Sequence, residues 1–212
     1  KLAVLLGHAR AAGFESTLTY GCVGSNHALA TAIYAAQLGL RPYSVLYHQP
    51  VSRAVRRNLL RHHCTGATMT FCANNREGQL ATARHCFEEG DRCGRFPLII
   101  APGGSSPVGA LGFVDAAFEL RAQVEAGLLP APDVVYVPSG TMGTCIGLAL
   151  GFAAVGMRTQ VMGVAVTVPP YTSEAKARLL FETTRDMLRA CDPSFPMVKL
   201  GAAGFTLRHG FL

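Results

Sequence analysis

Apolar residues along the chain alternate between two patterns. Short continuous runs are separated by longer stretches in which apolar side chains recur every three or four positions. The first pattern marks buried strands and the second marks helices with one face in a core. Leu2, Leu5, Leu6 and Ala9 predict a helix over 2–12, stopped by Gly13. Strand 17–20, a turn at 21–24 and an alanine-rich helix over 28–38 follow, the helix capped by Ser25-Asn26 and ended by Gly39. Strand 43–47, helix 52–62 and strand 67–71 come next. Asn74 and Asn75 then cap a helix over 76–88 that ends at Gly90. The second half reads as strand 98–101, turn 102–107, helix 108–126, strand 133–137, a small-residue loop, helix 144–155, strand 161–166 and helix 173–191. Short apolar strands alternating with longer helices predict an α/β protein with parallel sheets. No internal repeat or low-complexity linker interrupts the pattern. The polar stretch Glu88–Pro97 predicts a boundary near 90–96.

Composition narrows this picture. The 212 residues are 50% hydrophobic and only 15% charged, enough for one large domain or two small ones with a sizeable core. The net charge of +6 comes mostly from arginine. The cluster Arg53, Arg56, Arg57 and Arg61 recurs at helical spacing and reads as a solvated helix face. With no Trp and no basic run interleaved with aromatics, no nucleic-acid partner is expected. The positive excess suits an anionic ligand. Seven cysteines lie scattered without a CxxC pair, which predicts reduced thiols in a cytoplasm and no metal site; Arg61-His-His-Cys64 with Cys72, Cys86 or Cys93 matches no common zinc spacing. No run approaches the roughly 20 apolar residues of a membrane span, and no signal peptide is visible, so no membrane partner is expected. The chain starts at Lys1 inside a helical pattern and stops at Leu212 without a polar tail, so both ends are expected to be cuts through a longer protein.

The candidate chemistry lies in the turns. Pro138-Ser-Gly-Thr-Met-Gly-Thr-Cys145 joins an apolar strand to an apolar helix. Such a turn aims backbone N–H groups at one point, and the helix adds about half a positive charge there. Gly140 and Gly143 allow close approach, and Ser139, Thr141 and Thr144 offer hydroxyls. The stretch reads either as a phosphate cradle or as an ordinary turn whose hydroxyls cap the helix. Turns 21–27 and 102–107 occupy the same strand-to-helix position, where parallel sheets bind ligands.

These turns, in this order, resemble the pyridoxal-phosphate fold-type II enzymes, and among them the 1-aminocyclopropane-1-carboxylate deaminase/D-cysteine desulfhydrase family. Gly24-Ser-Asn-His-Ala28 is similar to that family's Gln-Ser-Asn-(His/Gln) segment. Gly103-Gly-Ser-Ser-Pro-Val-Gly-Ala-Leu-Gly-Phe-Val-Asp-Ala-Ala117 is similar to its middle segment nearly residue by residue. Ser139–Gly147 resembles its phosphate cup, and Leu207–Leu212 a segment before its last quarter. The likeness runs over almost the whole chain and is weak over 168–200. It implies two open twisted, mainly parallel sheets with flanking helices, as in the tryptophan synthase β fold. Residues 14–95 would form a smaller domain, and 1–13 with 96–212 part of a larger cofactor-binding one, with pyridoxal 5'-phosphate in a cleft between them and a cytoplasmic homodimer.

The resemblance also implies roles. Ser25 would hold the substrate carboxylate or act as acid/base or nucleophile at the substrate carbon, so it is the candidate catalytic residue. Asn26 would hydrogen-bond the cofactor's phenolic oxygen. His27 stands where desulfhydrases commonly have His and deaminases Gln, and would contact substrate. Ser139, Gly140, Thr141, Met142, Gly143 and Thr144 would bind the phosphate. From the residues alone, Ser25-Asn26 reads equally as a helix cap and His27 as a first-turn surface histidine. The family's Schiff-base lysine would fall three residues before Lys1. Gly24, Cys22 and Cys145 stand where the family has Gln, Gly and often His. The implied reaction is β-elimination from D-cysteine to pyruvate, ammonia and hydrogen sulfide. The alternatives are ring opening of 1-aminocyclopropane-1-carboxylate and a non-catalytic cofactor-binding paralogue without the lysine. A nicotinamide-dinucleotide protein is disfavoured, since no G-x-G-x-x-G follows an early strand.

Overall fold

The computed structural model describes residues 1–167 and 171–210, so Phe211 and Leu212 of the 207–212 segment lie outside the described residues. The chain divides into two compact units, Leu2–Gly104 and Lys1 with the residues from Ser105 onward.

The Leu2–Gly104 unit runs α1 (Leu2–Ala11), β1 (Ser16–Cys22), α2 (Asn26–Gln37), β2 (Arg41–Tyr47), α3 (Arg53–His63), β3 (Thr68–Cys72), α4 (Asn75–Cys93) and β4 (Leu98–Ile100), then a short 3-10 turn at Pro102–Gly104. Its four strands are all parallel in the order β3-β2-β1-β4. Leu18, Tyr43, Val45, Cys72 and Ala81 pack together as an apolar core. Side-chain caps set the helix starts: Ser52 Oγ accepts from Val55 N, and Asn74 Oδ1 accepts from Glu77 N. The division differs from the boundaries at 13/14 and 95/96 read above. Strand β4 pairs with β1 through Thr17, Leu18 and Thr19, and α1 packs on α2, so both flanks belong with this sheet's unit.

Two local expectations are corrected. Helix α4 does not end at Gly90 but continues to Cys93. Gly90 keeps helical backbone there, and the terminator is Gly94, whose φ of 74° is the left-handed geometry that ends helices. The polar stretch from Glu88 is therefore helical through residue 93, because its charges lie on a solvated face while Glu89 points inward.

The other unit runs α5 (Pro107–Glu125), β5 (Val134–Ser139), α6 (Gly143–Ala154), β6 (Gln160–Ala165), α7 (Glu174–Cys191) and β7 (Phe205–Arg208). Its strands are parallel in the order β5-β6-β7. Helix α6 is apolar on nearly every face and lies buried, with Ile146, Leu150 and Phe152 at the centre of a core shared with Val137, Val161 and Phe181. Strand β7 was not expected from the sequence. It is four residues long, and only its register against Val161–Val164 defines it. The parallel α/β architecture with flanking helices is the one that the alternation predicts.

Candidate functional site

Two groups of residues carry the candidate chemistry, one in each unit. In the unit containing β5 and α6, the small-residue turn forms as the strand ends at Ser139. Met142 takes φ 72°, the only non-glycine residue with positive φ among the described residues. Such backbone costs of order 1 kcal/mol and persists where surrounding packing holds it. Met142 is 2% exposed, and the Ser139 hydroxyl meets its sulfur at 3.1 Å. The strained residue turns the chain so that α6 begins at Gly143 with no side-chain cap from its own N-cap residue.

The helix end is instead met by a residue from another turn. Gly143 N donates to Ser105 Oγ at 3.1 Å, and Ser105 Oγ lies 2.7 Å from Thr141 Oγ1. A Cβ on Gly143 would sit 2.6 Å from Ser105 Oγ and 3.0 Å from Lys1 Nζ, so an ammonium and a hydroxyl both crowd this helix start. Lys1 Nζ also stands 5.2 Å above the Phe113 ring. Burial pushes the Lys1 ammonium below its ordinary value, opposed by the nearby Cys145 thiol. Burial likewise pushes the Cys145 thiol up, against the Ser139 hydroxyl. Behind the turn, Thr167 Oγ1 and Thr172 Oγ1 both hydrogen-bond the Gly140 carbonyl, at 2.9 and 2.7 Å. These bonds fix Gly140 from the rear and leave its N–H side to the cradle. Ammonium, hydroxyls, backbone N–H groups and a twelve-residue helix's N-terminus together suit a phosphate-type dianion. A bound dianion would favour the protonated lysine that burial alone disfavours.

In the Leu2–Gly104 unit, Ser25, Asn26 and His27 sit together where β1 passes into α2. Ser25 is the N-cap of α2, its Oγ accepting from Ala28 N at 3.2 Å. That bond uses a lone pair and leaves the hydroxyl proton to donate elsewhere. Gly21 lies under it, for a Cβ there would be 2.6 Å from Ser25 Cβ. Gly24 is likewise closed in, 2.6 Å from Val55 Cγ2 by the same measure, which explains a residue without a side chain at that position. Asn26 Oδ1 accepts from Asn58 Nδ2 at 2.7 Å. His27 Nε2 is 3.4 Å from Thr19 Oγ1, whose own proton goes to Ile100 O at 3.1 Å.

Sequence reasoning missed Ser105, Lys1, Asn58, Thr167 and Thr172. Ser105 stood in a turn already singled out for its position. Asn58 carried a second signal, being a polar residue on the buried stripe Val55-Asn58-His62 of an otherwise exposed helix. The arginines at 53, 56, 57 and 61 are all exposed on α3. Among the described residues no cluster of metal-ligating side chains occurs, and no helix is long and apolar enough to cross a membrane.

Residues 1–192 match the family described as pyridoxal-phosphate dependent enzyme. A Pyrococcus abyssi protein provisionally named 1-aminocyclopropane-1-carboxylate deaminase is 35% identical over 189 residues, covering 89% of this chain and 56% of that protein. A D-cysteine desulfhydrase from Klebsiella pneumoniae is 33% identical over 174 residues, covering 79% of this chain and 51% of the enzyme. A crystal structure of an ACC deaminase homologue superposes with a TM-score of 0.77 at 27% identity, covering 97% of this chain and 58% of that one. The chain thus spans about half the length of the curated relatives it matches.

Proposed function

The chain belongs to the pyridoxal-phosphate dependent enzyme family, and from that premise we propose that its parent protein is a lyase or deaminase acting on a small amino acid, with D-cysteine as the first substrate to test. The observation that carries this reading is the cradle at the start of α6, where Gly143 N, the Ser105 and Thr141 hydroxyls and the Lys1 ammonium converge. These groups fit the phosphate of pyridoxal 5'-phosphate in charge and in hydrogen-bond sense. A side chain at 143 would fill the space they share. When bound, the cofactor supplies an electron sink for the pair released at a substrate carbon.

The remaining roles fall to this chain's own residues. Gly140, Thr141, Met142, Gly143 and Thr144 bind the phosphate through backbone N–H groups and hydroxyls; Ser139, expected among them, is set apart because its buried hydroxyl donates to the Met142 sulfur. Asn26 donates to the cofactor's phenolic oxygen. Ser25 donates its proton to the substrate carboxylate while its lone pair caps α2, and His27 contacts the substrate. The overall conversion is D-cysteine and water to pyruvate, ammonia and hydrogen sulfide. Ring opening of 1-aminocyclopropane-1-carboxylate is the second reading, favoured by the similarity to the Pyrococcus abyssi protein. We further propose that the protein works as a homodimer in the cytoplasm.

The test is made on the full-length protein. Borohydride reduction in the presence of pyridoxal phosphate, followed by digestion, is expected to label a lysine preceding Lys1. Hydrogen sulfide release from D-cysteine is expected to fall at least a hundredfold in Ser25→Ala, because the loss includes a contact to the reacting molecule. The same change costs only about 1 kcal/mol of stability through the lost cap. Cofactor binding without any labelled lysine would instead identify a non-catalytic paralogue. No binding at all would remove the phosphate assignment of residues 139–144.

A further inference from the structure

We propose that Asn58, buried on α3, is a positioning residue that fixes which end of the Asn26 amide faces outward. Its Nδ2 lies 2.9 Å from the Gly24 carbonyl oxygen and 2.7 Å from the Asn26 side-chain amide. A backbone carbonyl only accepts, so the atom that Asn58 presents to Gly24 must be its NH2 group. That NH2 has two protons, and the second is directed at Asn26. The Asn26 atom that receives it must therefore be the oxygen. The Gly24 carbonyl thus settles an orientation that the shape of an amide alone leaves open.

The consequence falls on the other end of Asn26. With Oδ1 held by Asn58, the Asn26 NH2 group points away from α3, at an exposed residue in the first turn of α2. Asn58 is 6% exposed, so water is not at hand to replace it. A flipped Asn26 would set its own NH2 against the Asn58 NH2, donor facing donor, and would leave the second Asn58 proton without an acceptor. The fold therefore presents a donor, and not an acceptor, outward from residue 26. A donor stabilises an anionic oxygen and an acceptor repels it. This inference rests on the reading that Asn26 meets the phenolic oxygen of pyridoxal phosphate, and it adds the group that makes Asn26 a donor there. Asn58 itself touches neither cofactor nor substrate.

The test uses full-length apoprotein titrated with pyridoxal phosphate, read by absorbance and by the dissociation constant. Asn58→Asp presents acceptors only, which forces Asn26 to turn its oxygen outward. The expected result is an approximately tenfold weaker dissociation constant, the worth of one charge-assisted hydrogen bond, and the same change in the bound cofactor's absorbance as in Asn26→Ala. In an Asn26→Ala background, Asn58→Asp is expected to add nothing to either readout, since the two act as one unit. Asn58→Leu, with the same branching and number of side-chain heavy atoms and no charge, covers the case in which the aspartate does not fold; it is expected to shift the spectrum in the same sense by a smaller amount. A variant that lowers the melting temperature but keeps the wild-type dissociation constant and spectrum overturns the proposal, leaving Asn58 a purely structural residue. Wild-type protein that shows no cofactor band overturns the reading of Asn26 together with it, so the two failures are told apart.

Discussion

Replacing Gly147 and Gly151 together by alanine is expected to destabilise the protein by about 3 kcal/mol, although alanine is the better helix former at both positions. On propensity alone the two changes would stabilise α6 by about 2 kcal/mol. Packing reverses the sign. A Cβ on Gly147 would stand 2.6 Å from the Ala110 carbonyl oxygen and 2.6 Å from Phe113 Cβ. One on Gly151 would stand 2.5 Å from Ala117 Cβ and 2.8 Å from the Val114 carbonyl oxygen. Two of these neighbours are backbone atoms of α5, which cannot step aside as a side chain can. The helices must separate, at about 1–3 kcal/mol per site for overpacking. The sites are one turn apart and push α5 in one direction, so their costs add incompletely. Because α6 begins at Gly143, the same displacement draws Gly143 N away from Ser105 Oγ. Pyridoxal phosphate affinity is expected to drop with stability. Urea unfolding of the double variant measures the first effect and cofactor titration the second; a raised urea midpoint would show that the helices do not meet through these glycines.

Removing the Glu89 carboxylate is expected to cost about 3 kcal/mol at pH 7 as Glu89→Ala and about 2 kcal/mol as Glu89→Gln. Glu89 is fully buried in α4, yet it accepts from Arg41 Nη2 at 2.7 Å and from the Tyr43 hydroxyl at 2.6 Å. Alanine leaves the buried Tyr43 hydroxyl without its acceptor and opens a cavity. Cutting one member from a buried pair costs about 3–5 kcal/mol, but the Arg41 and Arg92 side chains are 37% and 59% exposed and can turn to water, which lowers the figure. Desolvation raises the Glu89 carboxyl's pKa, and hydrogen bonds from Arg41, Tyr43 and Ser16 outweigh it, holding the group at about 2. A folded pKa below the ordinary 4.5 means that this stability is complete above pH 4.5 and is lost as pH falls toward 2. Buried His62 and His85 act in a higher window. Burial lowers both from 6.5, so their neutral-state stability is lost as pH falls below that value. The stability gap between wild type and Glu89→Gln is therefore expected to hold from pH 7 to 5 and to close below 4.5. Urea unfolding at pH 7, 5 and 3 checks this, and a gap that stays constant to pH 3 would rule out an ionised Glu89 as its source.

The elements and their class are legible in the chain's local pattern. Periodicity placed each α-helix of the described residues to within two positions, except the C-terminal end of α4, since the burial of one face leaves its mark on local spacing. The capping residues Ser25 and Asn74 were legible for the same reason: a cap bonds an N–H only three residues away. The strand–turn–helix context of 138–145 was legible because it too is local. Where local signals competed, tertiary structure decided. Gly90 and Gly94 are both helix stops by residue type, and only the folded chain shows that α4 runs through Gly90 to Cys93 and ends at left-handed Gly94. Strand β7 has four residues and no pattern of its own; its partner β6 lies some forty residues earlier. Ser105 at Gly143, Asn58 at Asn26 and Glu89 at Arg41 join positions 38, 32 and 48 residues apart. Such pairs leave no trace in spacing, because a hydrogen bond depends on where the folded chain brings two atoms, and a single sequence records only which atoms are available.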